Sequence, residues 1–160
     1  MSPRAAILGI AGPTLGAEEA ALFRRRPPAG VILFARNVES PAQLRALTDA
    51  LRAVLPAGAP ILVDQEGGRV ARLRPPHWRA HPPAAVIGAL HAARPAAARR
   101  AAWLTGALIG LDCAAGGIDV VCAPVLDLRR PETHAAIGDR AYAADPDVVA
   151  SLGQAMAEGL

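Results

Sequence analysis

Short apolar runs alternate along the chain with longer segments of helical period, and this alternation limits the folds that the chain can adopt. Four runs are almost free of polar residues and are too short for helices; they are Ala6–Ile10, Val31–Phe34, Ile61–Val63 and Val120–Ala123. Runs of this kind, without polar alternation, are typical of strands buried on both faces of a parallel sheet. The pattern therefore predicts an α/β fold built from four βα units.

Helical signals lie between these runs. The clearest covers 40–55, where Ser40 is a typical N-cap, Pro41 takes the first helical position and apolar residues recur every three or four positions. We also predict helices over Glu18–Arg26, over Pro95–Ala115 and from Asp145 onward. The segment Arg74–Ala92 is dense in Pro and His, and we predict a long irregular connection there.

The composition is that of one globular domain over residues 1–160, with 52% hydrophobic and 19% charged residues. Only 3% of the residues are aromatic, which makes base stacking an improbable role. All seventeen basic residues are Arg. We interpret the run Arg24-Arg25-Arg26 as the solvated end of a helix, and we expect no nucleic-acid partner.

Cofactor, metal and membrane signals are weak. Two cysteines, Cys113 and Cys122, are too few for a disulfide framework or a zinc site, and His77, His81 and His91 lie in the predicted irregular connection, where they form no helical i, i+4 pair. The apolar stretch 101–126 is interrupted by Asp112, by a Gly pair and by Asp119, which argues against a membrane span. The N-terminus lacks the sustained apolar core of a signal peptide, so we expect a cytoplasmic protein. We expect neither a metal nor a cofactor.

Four βα units are compatible with an open half-barrel or with an open α/β sheet, and the pattern alone does not separate these. Dinucleotide binding needs a glycine-rich turn that leads into a helix N-terminus. Pro13 follows Gly9 and Gly12 where that helix should begin, and no acidic residue closes the next strand. We therefore do not expect a Rossmann-type nucleotide site.

Polar residues cluster directly after the predicted strands. Arg36-Asn37 follow the second strand, 64–69 (Asp-Gln-Glu-Gly-Gly-Arg) follow the third, and Asp127 lies a few residues beyond the fourth. The carboxyl ends of parallel strands in βα folds share one face, where active sites are built. The sequence therefore predicts a functional site on that face.

Asp64 and Arg72 are the candidates for binding a ligand after the third strand, where a Gly pair lets the backbone turn. A carboxylate accepts bonds from vicinal hydroxyls and a guanidinium donates in a fixed fork, a combination that suits a sugar. Arg140 could reach the same site with Asp139 orienting it. The alternative is that these acids and arginines pair with each other and only hold the loops in shape.

Four segments together resemble family 3 glycoside hydrolases, and specifically the bacterial β-N-acetylhexosaminidases of cell-wall recycling. The segments are Gly30–Asn37, Val63–Val70, Ala123–Leu128, and Ile137–Tyr142 ahead of Asp145-Pro146. Their order and spacing match the family from about Gly9 to the end of the chain. The resemblance implies about the first four units of a (β/α)₈ barrel of TIM type.

By the same resemblance, Asp64, Arg72 and Arg140 fall on positions that bind N-acetylglucosamine, whereas Glu66 and Arg69 shape the loop. The implied substrate is a muropeptide or a chitobiose-like sugar with a terminal, non-reducing β-linked N-acetylglucosamine. No metal is implied.

The resemblance places no catalytic residue in this chain. A retaining glycosidase needs a nucleophile and an acid/base; in the family these are an Asp late in the barrel and a His that follows a Lys-His segment of the fifth unit. The chain contains no Lys, and we expect those groups beyond Leu160. Glu66 and Asp127 are not expected to replace them.

Two alternatives remain for the function. One is a β-glucosidase of the same family, and the other is a non-catalytic carbohydrate-binding or degenerate protein. A four-unit half-barrel would leave two strand edges unpaired, so we expect a complementary half-barrel or self-association to cover them.

Overall fold

The computed structural model describes residues 3–160 and contains, within that range, four strands and five helices. The strands are β1 (Arg4–Leu8), β2 (Pro28–Leu33), β3 (Ile61–Val63) and β4 (Val120–Val121). The helices are α1 (Ala17–Arg25), α2 (Pro41–Arg52), α3 (Ala84–Ala93), α4 (Pro95–Ala115) and α5 (Pro146–Gly159), and single 3₁₀ turns occur at Ala35–Asn37 and Gly138–Arg140. The predicted α/β class is confirmed.

The four strands form one parallel sheet in the order β1-β2-β3-β4, so each strand lies beside its neighbour in the chain. In register, Val31 of β2 faces Ile61 of β3, and Val63 of β3 faces Val121 of β4. A Rossmann sheet reverses its direction of growth after the first three strands, whereas a (β/α)₈ barrel adds each strand on the same side. The observed order is that of a barrel segment.

The chain divides into two compact units, which we describe separately. The first runs up to Asp64 and includes Cys113–Val121, so it holds the sheet, α1 and α2. The second consists of Gln65–Asp112 and Cys122–Leu160, and it holds α3, α5 and most of α4.

Strands β2 and β3 and helix α2 contribute buried side chains to the core of the first unit. Every residue of β2 and β3 is buried or half-buried, and neither strand has an exposed residue. Leu44, Leu47 and Leu51 form the buried face of α2, as their spacing predicts. Ser40 caps this helix by accepting a hydrogen bond from the Gln43 amide at 3.3 Å.

The prediction that all four strands are buried on both faces is wrong for β1 and β4. All five residues of β1 are exposed, and Val120 of β4 is 39% exposed. The physical reason is their place in the sheet, since β1 pairs only with β2 and β4 only with β3 in the described part of the chain. The hydropathy of a five-residue run does not indicate whether the strand will lie at the edge or in the centre of the sheet.

The segment predicted as irregular over Arg74–Ala92 ends in a helix instead, because α3 begins at Ala84. Pro83 is its N-cap, and the ten residues that follow contain no proline and are rich in alanine. Alanine has the highest helix propensity, and a proline just ahead of a helix does not interrupt its hydrogen bonds. The proline density that suggested a loop is confined to 74–83.

In the second unit, α4 and α5 pack backbone against backbone, and α4 has the bounds that the sequence predicts. A Cβ atom at Gly106 would collide with the Met156 carbonyl oxygen of α5, and one at Gly159 would collide with the Trp103 carbonyl oxygen of α4. Glycine is therefore required on both sides of this contact. Asp145 caps α5 by accepting a hydrogen bond from the Asp147 amide at 2.8 Å.

Tyr142 anchors the core of the second unit. Its side chain is 1% exposed, and its hydroxyl donates a hydrogen bond to Met156 Sδ at 3.1 Å. Burial disfavours the charged phenolate and raises the pKa of Tyr142 to about 12, above its ordinary value of 10.0.

We expect an ultraviolet titration of tyrosinate absorbance to show a midpoint near pH 12, which can be assigned directly because Tyr142 is the chain's single tyrosine. Because the folded pKa lies above the unfolded one, the stability that the neutral phenol contributes is complete below about pH 10 and is lost as the pH rises through about 12. In Tyr142→Phe this part of the pH dependence of unfolding should vanish. A midpoint near 10 in the folded protein would contradict the buried environment.

Candidate functional site

Asp64 directly follows Val63 at the carboxyl end of β3, in the first unit. Its side chain is half-buried. This is where the sequence places it, at the strand end that βα folds use for binding groups.

Arg36 and Asn37, which also follow a strand, serve the structure of the first unit. Asn37 is fully buried, donates to the carbonyl oxygens of Ile10 and Gly12 at 3.2 and 2.8 Å, and accepts from the Phe34 amide at 2.8 Å. Arg36 Nε donates to the same Ile10 oxygen at 2.9 Å, and its guanidinium lies 4.8 Å from the centre of the Phe34 ring. These two residues fix the segment that follows β1, and their polarity is explained without a ligand.

The loop after β3 is organised in the second unit by Gln65, whose side chain is 3% exposed. Its Oε1 accepts from the amides of Arg72 and Leu73 at 2.7 and 3.0 Å, and its Nε2 donates to the Leu73 carbonyl at 3.0 Å. The Gln65 side chain thus satisfies backbone groups of Arg72 and Leu73 that a neighbouring strand would otherwise bond, and it closes the loop 65–73. The backbone of Arg72, a predicted sugar ligand, is held by this closure.

The tip of the loop requires glycine at two consecutive positions. Gly67 and Gly68 have φ angles of +96° and +57°, which residues with a Cβ rarely adopt. The Gly68 amide donates to the His81 carbonyl at 2.9 Å, and a Cβ at Gly68 would lie 2.7 Å from the Cβ of Pro83. The tip therefore packs directly on the irregular segment that precedes α3.

The strongest ion pair near this loop joins Glu66 to Arg140. Arg140 Nε and Nη2 donate to the two carboxylate oxygens of Glu66 at 2.7 and 2.6 Å, and the side chains are 26% and 9% exposed for Arg140 and Glu66. A bidentate pair at these distances fixes the plane of the guanidinium as well as its position. Glu66 thus holds Arg140, a predicted sugar ligand, in one orientation.

A second pair joins the same two segments. Arg69 Nε donates to Asp139 at 3.0 Å, and Arg69 Nη2 also contacts the carbonyl oxygen of Ala136. The expectation that Asp139 orients Arg140 is therefore wrong, since Glu66 has that role. Asp139 and Arg140 are neighbours in a 3₁₀ turn, where successive side chains diverge by about 120°, so the two cannot point the same way.

The observed pairs confirm that Glu66 and Arg69 shape this loop. Both oxygens of Glu66 bond Arg140, which leaves neither oxygen placed to attack or protonate a substrate. Asp127, the other carboxylate considered for catalysis, is exposed on the segment after β4. A pair of working catalytic carboxylates is not found among these residues.

The part of the chain that the structure describes offers neither a cluster of metal ligands nor a membrane-spanning helix. Across residues 3–160, the His, Cys, Asp and Glu side chains do not gather in groups of three or more that could hold a metal ion. Within the same range, every helix is too short or too polar to cross a bilayer.

The sequence prediction missed Gln65 and the partner of Arg140. A polar amide directly after a buried strand was the available signal for Gln65, because such a group must find hydrogen bonds inside the protein. The Glu66–Arg140 pair spans 74 residues, and nothing in the local pattern indicates it.

Comparisons with known proteins agree with this arrangement. Residues 8–160 match the model of the glycosyl hydrolase family 3 N-terminal domain. A β-hexosaminidase of Xylella fastidiosa (strain M12) is 43% identical over 154 residues, which are 96% of this chain and 45% of that protein. The chain thus spans about half the length of the curated relatives that it matches.

Solved structures show the same fold. NagZ from Neisseria gonorrhoeae, crystallised with zinc ion, superimposes with a TM-score of 0.92 at 34% identity, covering 99% of this chain and 47% of that one. The same enzyme in complex with N-trifluoroacetyl-D-glucosamine gives a TM-score of 0.91 at 35% identity, again covering 99% and 47%. With its parallel sheet, its four segments in register and this coverage, the chain belongs to glycosyl hydrolase family 3 and corresponds to the N-terminal domain of that family.

Proposed function

We propose that this chain is the N-terminal half of a β-N-acetylhexosaminidase barrel, over residues 1–160, and that it binds terminal N-acetylglucosamine. The observation that carries the proposal is the bidentate Glu66–Arg140 pair, which presents an oriented guanidinium in a family whose relatives are named β-hexosaminidases. The N-trifluoroacetyl-D-glucosamine complex of NagZ supports the same class of sugar.

The proposed sugar ligands are Asp64, Arg72 and Arg140. The Asp64 carboxylate accepts hydrogen bonds from sugar hydroxyls distant from the anomeric carbon, and the two guanidinium groups donate to hydroxyls nearby. Each of these bonds involves an ion, and charge-assisted hydrogen bonds are about twice as strong as neutral ones. Three such residues favour a polar, uncharged ligand such as a sugar.

In the complete protein we propose hydrolysis of the β-linked terminal N-acetylglucosamine with retention, by a nucleophile and an acid/base supplied outside these residues. A muropeptide substrate, a place in cell-wall recycling and a cytoplasmic location are parts of this proposal. We also propose that the exposed edges β1 and β4 pair with a complementary half-barrel or with a second copy.

The first test is sugar binding by calorimetry with N-acetylglucosamine, and with glucose to separate a β-glucosidase. We expect N-acetylglucosamine to bind more tightly than glucose, and Asp64→Asn, Arg72→Gln and Arg140→Gln each to weaken binding at least about tenfold, or about 1.4 kcal/mol. Arg99→Gln is the matched control, since Arg99 lies on α4 and bonds Ser151 at 3.0 Å. Unchanged affinity in all three variants would refute the assigned ligands.

The second test concerns catalysis. The purified 160-residue chain should release no chromophore from an aryl β-N-acetylglucosaminide above the buffer rate, because Arg140 occupies both oxygens of Glu66 and the proposed nucleophile and acid/base lie outside these residues. Turnover that co-purifies with the chain and is lost in Asp64→Asn would overturn the view that the catalytic groups lie elsewhere.

The third test separates the two ion pairs. Glu66→Gln removes the charge from a pair that is largely buried, and we expect a loss of about 1–3 kcal/mol in the free energy of unfolding together with weaker binding of N-acetylglucosamine. Asp139→Asn alters a pair whose side chains are 50% and 44% exposed, so its cost should stay below about 1 kcal/mol.

Denaturant unfolding and calorimetry measure both effects on the same samples. Glu66→Asp, which keeps the charge, should recover part of the sugar affinity that Glu66→Gln loses. Equal sugar affinity in Glu66→Gln and the unmodified chain would show that Glu66 does not position Arg140 for binding.

A further inference from the structure

A second concave site lies wholly within the second unit, beside the tip of the loop after β3. It has a volume of about 350 Å³ and is bounded by parts of the segments 68–75 and 79–81. Neither Arg72 nor Arg140 lines it, so it is separate from those proposed sugar ligands. Its volume is at the lower end of the range for small-molecule sites, about 300–1,000 Å³.

The lining of this pocket is cationic. Arg69, Arg74, Arg79 and His81 contribute to it, and no acidic side chain does. The charge of Arg69 is balanced by Asp139 at 3.0 Å. Arg74 is held by neutral acceptors, because its Nε donates to the Ala71 carbonyl at 2.6 Å and its Nη2 to the Arg69 carbonyl at 3.1 Å. These bonds fix the Arg74 guanidinium without neutralising it.

His81 adds an unsatisfied polar atom to the same wall. Its Nε2 is buried and has no hydrogen-bond partner among the described residues. Burial lowers the pKa of His81; the Asp112 carboxylate on α4 raises it, and the Arg79 guanidinium lowers it. A buried ring nitrogen without a partner is uncommon in native proteins.

The remaining wall is apolar. Leu73 and Ala71 are 1% and 9% exposed, and Pro75 and Ala80 complete the lining. An inorganic anion would leave this surface without a contact. An anion with a short hydrocarbon part would meet both the cationic and the apolar sides.

We propose that this pocket binds a small organic carboxylate. Arg74 and Arg79 donate to the carboxylate oxygens, and the hydrocarbon part packs on Pro75 and Ala80. A guanidinium fork matches the two oxygens of a carboxylate, and the fixed orientation of Arg74 reduces the entropy lost on binding.

The test is calorimetric titration of the full 160-residue chain with butyrate, inorganic phosphate and 1-butanol. We expect saturable butyrate binding at one site, weaker binding of phosphate, and no binding of the uncharged butanol. Arg79→Gln should weaken butyrate binding at least about tenfold, since it removes a charged donor from the wall. Arg99→Gln, which alters a cation outside the pocket, should leave the affinity unchanged.

A second measurement follows the imidazole resonances of the four histidines during the butyrate titration. His81 should shift with the calorimetric affinity, while His134, on the segment before α5, should not. Absence of saturable butyrate binding, tighter binding of phosphate than of butyrate, or equal affinity in Arg79→Gln would each overturn the proposal. None of these probes contains a sugar, so failure here is distinct from failure of the proposed hexosaminide function.

Discussion

The buried amide of Gln65 determines how the loop after β3 presents its side chains. It accepts hydrogen bonds from the backbone amides of Arg72 and Leu73 and donates one to the Leu73 carbonyl. Because the side chain is only 3% exposed, water cannot substitute for these hydrogen bonds. A glutamate at this position could accept but not donate, and a leucine could do neither, so each would leave buried backbone groups unsatisfied. The orientation of Glu66, Arg69 and Arg72 depends on this closure.

Two ion pairs then connect the closed loop to the 3₁₀ turn before α5. Glu66–Arg140 is largely buried and bidentate, whereas Arg69–Asp139 is half-exposed and contributes less. Their roles differ accordingly. The buried pair sets the direction of a proposed sugar ligand, and the exposed pair balances the charge of Arg69, which lines the cationic pocket.

The sequence predicts what local chemistry controls. The bounds of α4, the N-caps of α2 and α5 and the position of Asp64 after β3 follow from residues close together in the chain. It does not predict the exposure of β1, because that depends on the position of the strand in the sheet. It also does not predict helix α3, because the prolines that precede its alanines suggested an irregular segment. The partner of Arg140 was missed for the same physical reason, since it is set by tertiary packing across 74 residues.

The length of that separation has a consequence for engineering this family. A chimera that takes the loop after β3 from one relative and the turn before α5 from another would combine a carboxylate and a guanidinium that were never matched in distance. Recombination breakpoints between residues 66 and 140 would therefore take the two partners of the Glu66–Arg140 pair from different parents, even if every helix and strand were retained. The two segments should therefore be exchanged together, although 74 residues separate the paired side chains.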